Sequence, residues 1–378
     1  SHEHFFQSGN LYTRPDVADF NAVMPYRAEV ERNQARLPQT FRVWLASGVT
    51  SVADVGGPFW NFTVREAAAA SDAAPRVAAT GPLISMVDRP QLDIGDPPII
   101  RIGTPAQARE LVARELKRKP DFIKVWYIHQ EGDDLAAQEA IVRATAQAAH
   151  AGGVRLAVHA TELLVAKSAL RAGADFLVHS VQDEPVDEEF LSLARQRHIL
   201  YCPTLFVYMG YRYALSGTWR ASEAEQRLAD PQILAALHLD TSAPLPPLVA
   251  RFVKEHREPE FPTVAMQNLM RVWGAGVRVV MGTDAGNIGT LHGPGVFREM
   301  QLMQQAGLTP LQVLRSATVN GAKTMALSDL GTVAAGKLAD LVVLDADPSA
   351  DVENLSHASW VVRGGRAWQP AELLSTVH

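Results

Sequence analysis

The sequence predicts a (β/α)8 TIM barrel followed by a small β module, and three observations point there. Short apolar runs alternate with helix-patterned stretches along the first 325 residues or so, the spacing of βαβ units around a parallel sheet. Histidine, lysine and aspartate recur within or at the ends of those runs, where barrels of this kind carry their active sites. From about residue 326 the pattern changes to short strands and glycine turns. A chain of 378 residues suffices for one large domain with an appendage, expected at 1–325 and 326–378.

The first strand is Ser1-His2-Glu3-His4-Phe5-Phe6, in which alternation turns His2 and His4 to one face. Residues 48–56 and 76–81 form the second and third strands, the second closed by glycines. Thr104-Pro105-Ala106-Gln107 starts a helix with a capping box and proline at its first position. The fourth strand, 122–127, carries Lys124. A helix from about Leu135 to His150 stops at Gly152-Gly153. Strand 155–159 ends on His159, a helix spans 162–172, and strand 176–180 carries His179. Ile199 to Thr204 is the seventh strand and Val277 to Met281 the eighth, leading to Gly282-Thr283-Asp284-Ala285-Gly286. The stretch 206–276 is long for one connection and keeps aromatics, so it is expected to be a lid or specificity insertion. Thr309-Pro310-Leu311-Gln312 repeats the capping-box pattern. The tail strands are too few to bury their own face, and partner strands are expected from a segment upstream of Ser1, cut away or left out.

Composition excludes several classes. Hydrophobic residues make up 47% and charged residues 20%, with a net charge of -6 spread through the chain, so there is no basic footprint for nucleic acid or an anionic membrane. No apolar run is long enough to span a bilayer. The single cysteine, Cys202, excludes an internal disulfide and is compatible with cytoplasm or periplasm.

Two histidines and a carboxylate suit zinc, and equally manganese, cobalt or nickel. Two further histidines on adjacent strands would hold a second ion. A bridge is then needed, and a desolvated lysine that reacts with carbon dioxide gives a carbamate with two oxygens, so Lys124 is the candidate; the alternative is a lysine paired with a carboxylate at the barrel mouth. A water between two such ions becomes hydroxide near neutral pH and attacks a polarised carbonyl or phosphoryl. Asp284 can bind metal and shuttle the proton, or simply cap a helix. Tyr208 is a candidate oxyanion donor or a packing residue; His292 meets substrate or caps the next helix; Tyr127 and His129 are candidates to line the mouth. His150, His198, His238, His256, His357 and His378 carry no expected role.

The set His2-Glu3-His4, Lys124, His159, His179 and Asp284 resembles the amidohydrolase superfamily of metal-dependent hydrolases. The tail Gly331-Thr332-Val333 to Val342-Val343-Leu344 is similar to the β-sandwich segment that follows the barrel there, and Ala306-Gly307-Leu308-Thr309-Pro310 fits as well. Ile123-Lys124-Val125 and the turn 282–286 resemble the imidazolonepropionase-related branch that contains zinc Xaa-Pro dipeptidases. The resemblance implies a first metal on His2, His4 and Asp284, a second on His159 and His179, carboxylated Lys124 between them, and a homo-oligomer. The expected activity is hydrolysis of an amide or peptide bond in a small molecule, a dipeptide such as Xaa-Pro or an N-acyl amino acid. Alternatives are a mononuclear cyclic-amide hydrolase or deaminase, a phosphotriester or lactone hydrolase, and a scaffold without catalysis.

Overall fold

Parallel strands β1 (Ser51–Asp54) and β2 (Arg76–Ala79) pair with each other, and β3 (Leu83–Ser85), β4 (Ile99–Arg101), β5 (Phe122–Trp126), β6 (Arg155–His159), β7 (Phe176–Val178), β8 (Leu200–Cys202) and β9 (Arg278–Val279) form one parallel sheet in the order β4-β3-β5-β6-β7-β8-β9. The computed structural model describes residues 2–240, 242, 244–255 and 261–377; His256 and His378 lie outside them. Two sets of backbone bonds close this into a barrel. Asp121 N donates to Ala79 O at 2.9 Å, joining β2 to the foot of β5. The segment around Glu3 then bridges both free edges in parallel, to Asp54 on one side and Ala285 on the other. Glu3 N reaches Ala53 O at 3.2 Å, and His4 N reaches Ala285 O at 2.8 Å. The eight barrel positions are therefore the 2–4 segment, β1, β2, β5, β6, β7, β8 and β9, with β3 and β4 as an extension beside β5.

Alternation sorts the side chains. Phe122, Ala157, Phe176, Val178, Leu200, Cys202 and Val280 fill the barrel interior with Ala53, Val55 and Ala78. Ile123, Val125, Leu156, Val158 and Leu177 face outward into the larger core beneath the helices. Each such buried aliphatic side chain contributes about 1.5–3 kcal/mol relative to exposure. The helices form where the pattern says they should: Pro105–Leu116, Leu135–Ala151, Leu163–Ala172 and Pro310–Ala317. The capping box at Thr309 is complete, while the one expected at Thr104 is half-made. Thr104 Oγ1 accepts from Gln107 N, but the Gln107 side chain accepts from Gly103 N instead of turning back to Thr104.

The 206–276 stretch is helical, comprising most of Leu205–Leu215 together with Glu223–Leu228, Pro231–Ala235, Pro247–Glu255 and Thr263–Gly274. Its Leu215, Trp219, Leu237, Leu239 and Val249 share a second apolar cluster with Leu11, Ala18 and Phe20, so it packs against the segment that follows the first strand. After the barrel, β10 (Leu341–Leu344), β11 (Ala358–Arg363) and β12 (Arg366–Trp368) make an antiparallel sheet. The Arg76 guanidinium fastens it to the foot of β2 by a two-pronged pair with Asp340, at 3.0 and 3.1 Å. No helix among the described residues is long and apolar enough to cross a membrane.

Candidate metal centre

Lys124 lies in the middle of β5, with Phe122 below it and Trp126 above it on the inward face. It is 1% exposed, and its Nζ has no hydrogen-bond partner. His159 ends β6 on the same inward face. His179 and Asp284 follow the ends of β7 and β9, and both take left-handed backbone, at φ 77° and 60°. That region is costly for residues with a Cβ and clusters at functional sites. At His179 it matters directly: strict alternation after Phe176 and Val178 would turn residue 179 outward, whereas the ring stands 4.4 Å from His159 and 4.9 Å from His2, centroid to centroid.

The cup is built on two close backbone approaches. A Cβ on Gly282 would lie 2.5 Å from Cys202 Sγ and 2.7 Å from His2 N, so only glycine lets the first strand seat against the last. Gly286, at φ +100°, would meet the His4 carbonyl. With those approaches made, His2 Nε2 and His4 Nε2 stand 3.2 and 3.1 Å from Asp284 Oδ1, and His179 Nε2 stands 4.0 Å from Asp284 Oδ2.

Second partners orient the rings. His4 Nδ1 donates to Gly56 O at 2.5 Å, which leaves Nε2 as the free nitrogen toward Asp284. His179 Nδ1 is 2.6 Å from Thr204 Oγ1, and Thr204 is itself left-handed at φ 44°. Its position is held by Glu299, whose buried carboxylate accepts Leu205 N and Phe206 N, both at 2.9 Å. Such outer partners fix ligand orientation at metal sites.

Burial pushes the histidines down: His2 and His159 fall well below their ordinary values and His179 falls to about 4. Burial also brings Lys124 down to about 7. Asp284 behaves oppositely. Burial would raise it, but the neighbouring rings of His2, His4 and His179 hold it well below the carboxylate range. His2 Nδ1 and Nε2, Asp284 Oδ1 and Lys124 Nζ are buried without hydrogen-bond partners, and ligand atoms of His2, His4 and Asp284 lie within 4.8 Å of one another. Orphaned buried donors of this kind are expensive, and a divalent cation among them satisfies the nitrogens and the carboxylate together. The residues present thus fit a metal.

Two of the four expected substrate contacts, Tyr127 and His292, face away from the cup. Tyr127 follows Trp126 and therefore points outward; it is 1% exposed in the core beneath the helices, with its hydroxyl 3.0 Å from Ser168 Oγ. Tyr208 is 46% exposed, and its hydroxyl accepts from Arg212 one turn along the same helix. His292 neither caps the next helix nor faces the ligand cup. It donates from Nε2 to Gln7 O, stacks on Phe5, and sets Nδ1 3.6 Å from Glu3, on the opposite face of the first strand from His2 and His4. His129 is half-buried and tied by Nδ1 to Gln138 at 2.8 Å.

Several residues at the site were not anticipated from sequence. Asp54, at the end of β1, accepts Phe5 N and Gly56 N and braces the His4 turn; an acid closing an apolar run before glycine was a readable signal. Asn287 donates to Asp284 O at 3.1 Å and accepts from Tyr211 and Arg14. Arg14, Asp16 and Arg89 sit on loops, where no periodicity marks them.

Residues 1–365 match the sequence model of the amidohydrolase family. Among solved structures, the chain is similar to a Xaa-Pro dipeptidase with methionine bound in its active site (22% identity over 97% of this chain and 84% of that one, TM-score 0.71). It is also similar to the A. niger ochratoxinase (19%, 97% and 81%, TM-score 0.70) and to a prolidase complexed with N-methylphosphonate-L-proline (22%, 97% and 85%, TM-score 0.69). These likenesses describe the fold. Over 77 residues, 20% of this chain and 12% of the relative's length, it is 39% identical to adenine deaminase 2 of Agrobacterium fabrum.

Proposed function

The chain belongs to the amidohydrolase family, and from that premise we propose that it is a binuclear metal hydrolase cleaving an amide or peptide bond in a small molecule, a dipeptide such as Xaa-Pro or an N-acyl amino acid. One observation carries the reading: six potential ligands from five barrel positions converge in one buried cup with several donor atoms unpaired. His2, His4 and Asp284 would hold one divalent ion of the zinc class and His159 with His179 a second, while Lys124, carboxylated by carbon dioxide on its unpaired amine, would lie between them. Zinc is the first choice, with manganese, cobalt or nickel as substitutes. Ions bound there supply Lewis acidity and an activated water.

The chain's own groups supply the rest. Asp284, kept ionised, takes the proton of the attacking water and hands it to the nitrogen of the leaving amine. His4 and His179, pinned through Nδ1, keep Nε2 toward the cup and spend no reorganisation at the moment of reaction. Bulky Phe122, Phe176 and Val178 close the barrel floor against water.

A second reading rests on a specific observation. Only His2, His4 and Asp284 meet as a tight ligand group among the described residues, and the short match is to a deaminase. A mononuclear deaminase or cyclic-amide hydrolase would use that group alone. Metal content by plasma mass spectrometry separates the two, on protein purified without chelator and with bicarbonate present. About two ions per chain with turnover of dipeptides or N-acyl amino acids supports the binuclear reading; about one shifts it to the deaminase; none after reconstitution removes both.

A further inference from the structure

Asp16 at the mouth of the cup answers two arginines. Arg14 grips it with two bonds of 2.7 Å, from Nε to Oδ1 and from Nη2 to Oδ2. Arg89 approaches Oδ2 from the other side, with Nε at 3.4 Å. Two guanidiniums on one carboxylate leave one positive charge in excess. Arg14 is the structural member of the pair: its Nη1 is taken by Tyr211 and Asn287, and its side chain is 14% exposed. Arg89 is the open member, 30% exposed, with Nη1 on the neighbouring Asp88 carbonyl and no partner for Nη2 among the described residues. The Asp88 carboxylate is turned to the Arg89 backbone N–H at 2.8 Å.

Arg89 is also aimed. Its guanidinium carbon lies 4.8 Å above the Trp126 ring, and the Trp126 ring lies 6.0 Å from that of His159. Trp126 ends β5, two residues past Lys124 on the same inward face. Arg89 thus stands one indole away from the proposed metal ligand His159, over the face of the ring. Extended chain spans roughly 3.5 Å per residue, so a carboxylate one or two residues beyond a carbonyl in the cup would extend roughly 3.5–7 Å from it toward the Trp126 ring and the Arg89 edge. A planar guanidinium with a free edge suits a carboxylate, and stacking on the indole limits the entropy lost on binding it.

We propose that Arg89, seated on Trp126 and backed by the Arg14–Asp16 pair, is the receptor for a carboxylate on the substrate and selects amides that carry one. The inference rests on the amide-hydrolase reading and deepens it. The test uses matched probes on the metal-reconstituted enzyme: Xaa-Pro dipeptides and N-acyl amino acids beside their C-terminal amides. Wild type is expected to favour the free acids by at least about tenfold in kcat/KM, an ordinary margin for a charge-assisted contact. Arg89→Gln should collapse that acid-over-amide ratio toward one through KM, with Arg89→Lys keeping part of it. Equal treatment of acids and amides by wild type, or a loss in Arg89→Gln that is the same for both, overturns the assignment. Absence of all turnover would remove the amide-hydrolase reading alone. The same pairs then serve as plain ligands in titration calorimetry, where a carboxylate preference abolished by Arg89→Gln supports the receptor and equal binding removes it.

Discussion

The ligand cup and the barrel wall behind it bury ionisable groups in opposite ways. In the wall, Glu299 spends its carboxylate on two backbone N–H groups at the start of the helix Leu205–Leu215. In the cup, Lys124 Nζ, both nitrogens of His2 and one oxygen of Asp284 are as deeply buried and have no hydrogen-bond partner. Glu299 is satisfied by the chain, whereas these cup groups are left open for something the chain would bind. Stability is spent in the cup, where the backbone is also strained at His179, Thr204 and Asp284.

The largest expected effect breaks the cup side of this contrast. Asp284→Asn keeps the shape but cannot take a proton, and should lower kcat by about 1,000-fold, within the range for a lost general base. Assay against the best amide substrate decides it, and full activity would remove the proposed role. Lys124→Met, in the metal-free chain, replaces an unpaired buried amine with a methyl-ended side chain and should raise the unfolding free energy by on the order of 1 kcal/mol. Urea unfolding that showed a loss instead would mean that Lys124 is satisfied without a ligand.

The same contrast explains what could be read in advance. Groups on strands were legible because alternation and strand ends are local properties: Lys124, His159 and the His2/His4 pair follow from period two alone. Tyr127 obeys the same rule, since the residue after inward-facing Trp126 must face out, and reading it as a mouth residue ignored that parity. His179 was found as a strand-end residue, although its inward turn depends on a positive φ that no pattern announces. Arg14, Asp16 and Arg89 come from loops far apart in sequence and meet only once the barrel closes. The extension strands β3 and β4, which carry the loop bearing Arg89, are three residues each and too short to show a period.

Next in size is a wall group only partly satisfied. Glu115 is buried at the end of the helix Pro105–Leu116 beside Thr80 and Gly81, and burial pushes its carboxyl from 4.5 up to about 8. An acid raised on folding binds its proton more tightly in the native state, so it lowers stability progressively as pH rises from about 4.5 to about 8, with no further change above. Glu115→Gln should match wild type near pH 4.5 and exceed it by a few kcal/mol near pH 9, with activity preserved. Parallel stability curves across that range would show that the carboxyl ionises freely.

A joint between the two regions comes third. Thr204 passes the order of the Glu299-capped helix to His179 through a single 2.6 Å contact. Thr204→Val keeps the volume and deletes the hydroxyl. Metal affinity should fall by about 10- to 100-fold, the usual cost of losing an outer-shell partner, while the melting temperature of the metal-free chain changes little. Competition with a chromogenic chelator measures the first quantity and calorimetry the second. A matched loss in both would make Thr204 a wall residue.

The smallest effect tests the parity of Tyr127. Its hydroxyl meets Ser168 Oγ, which in turn donates to Glu139 at 3.0 Å, a chain that lies wholly among the outer helices. Tyr127→Phe should therefore cost about 1 kcal/mol of stability, the net worth of one buried hydrogen bond, and leave kcat and KM within about twofold of wild type. A change in KM without a change in stability would place the ring within reach of substrate after all, against the parity read from β5.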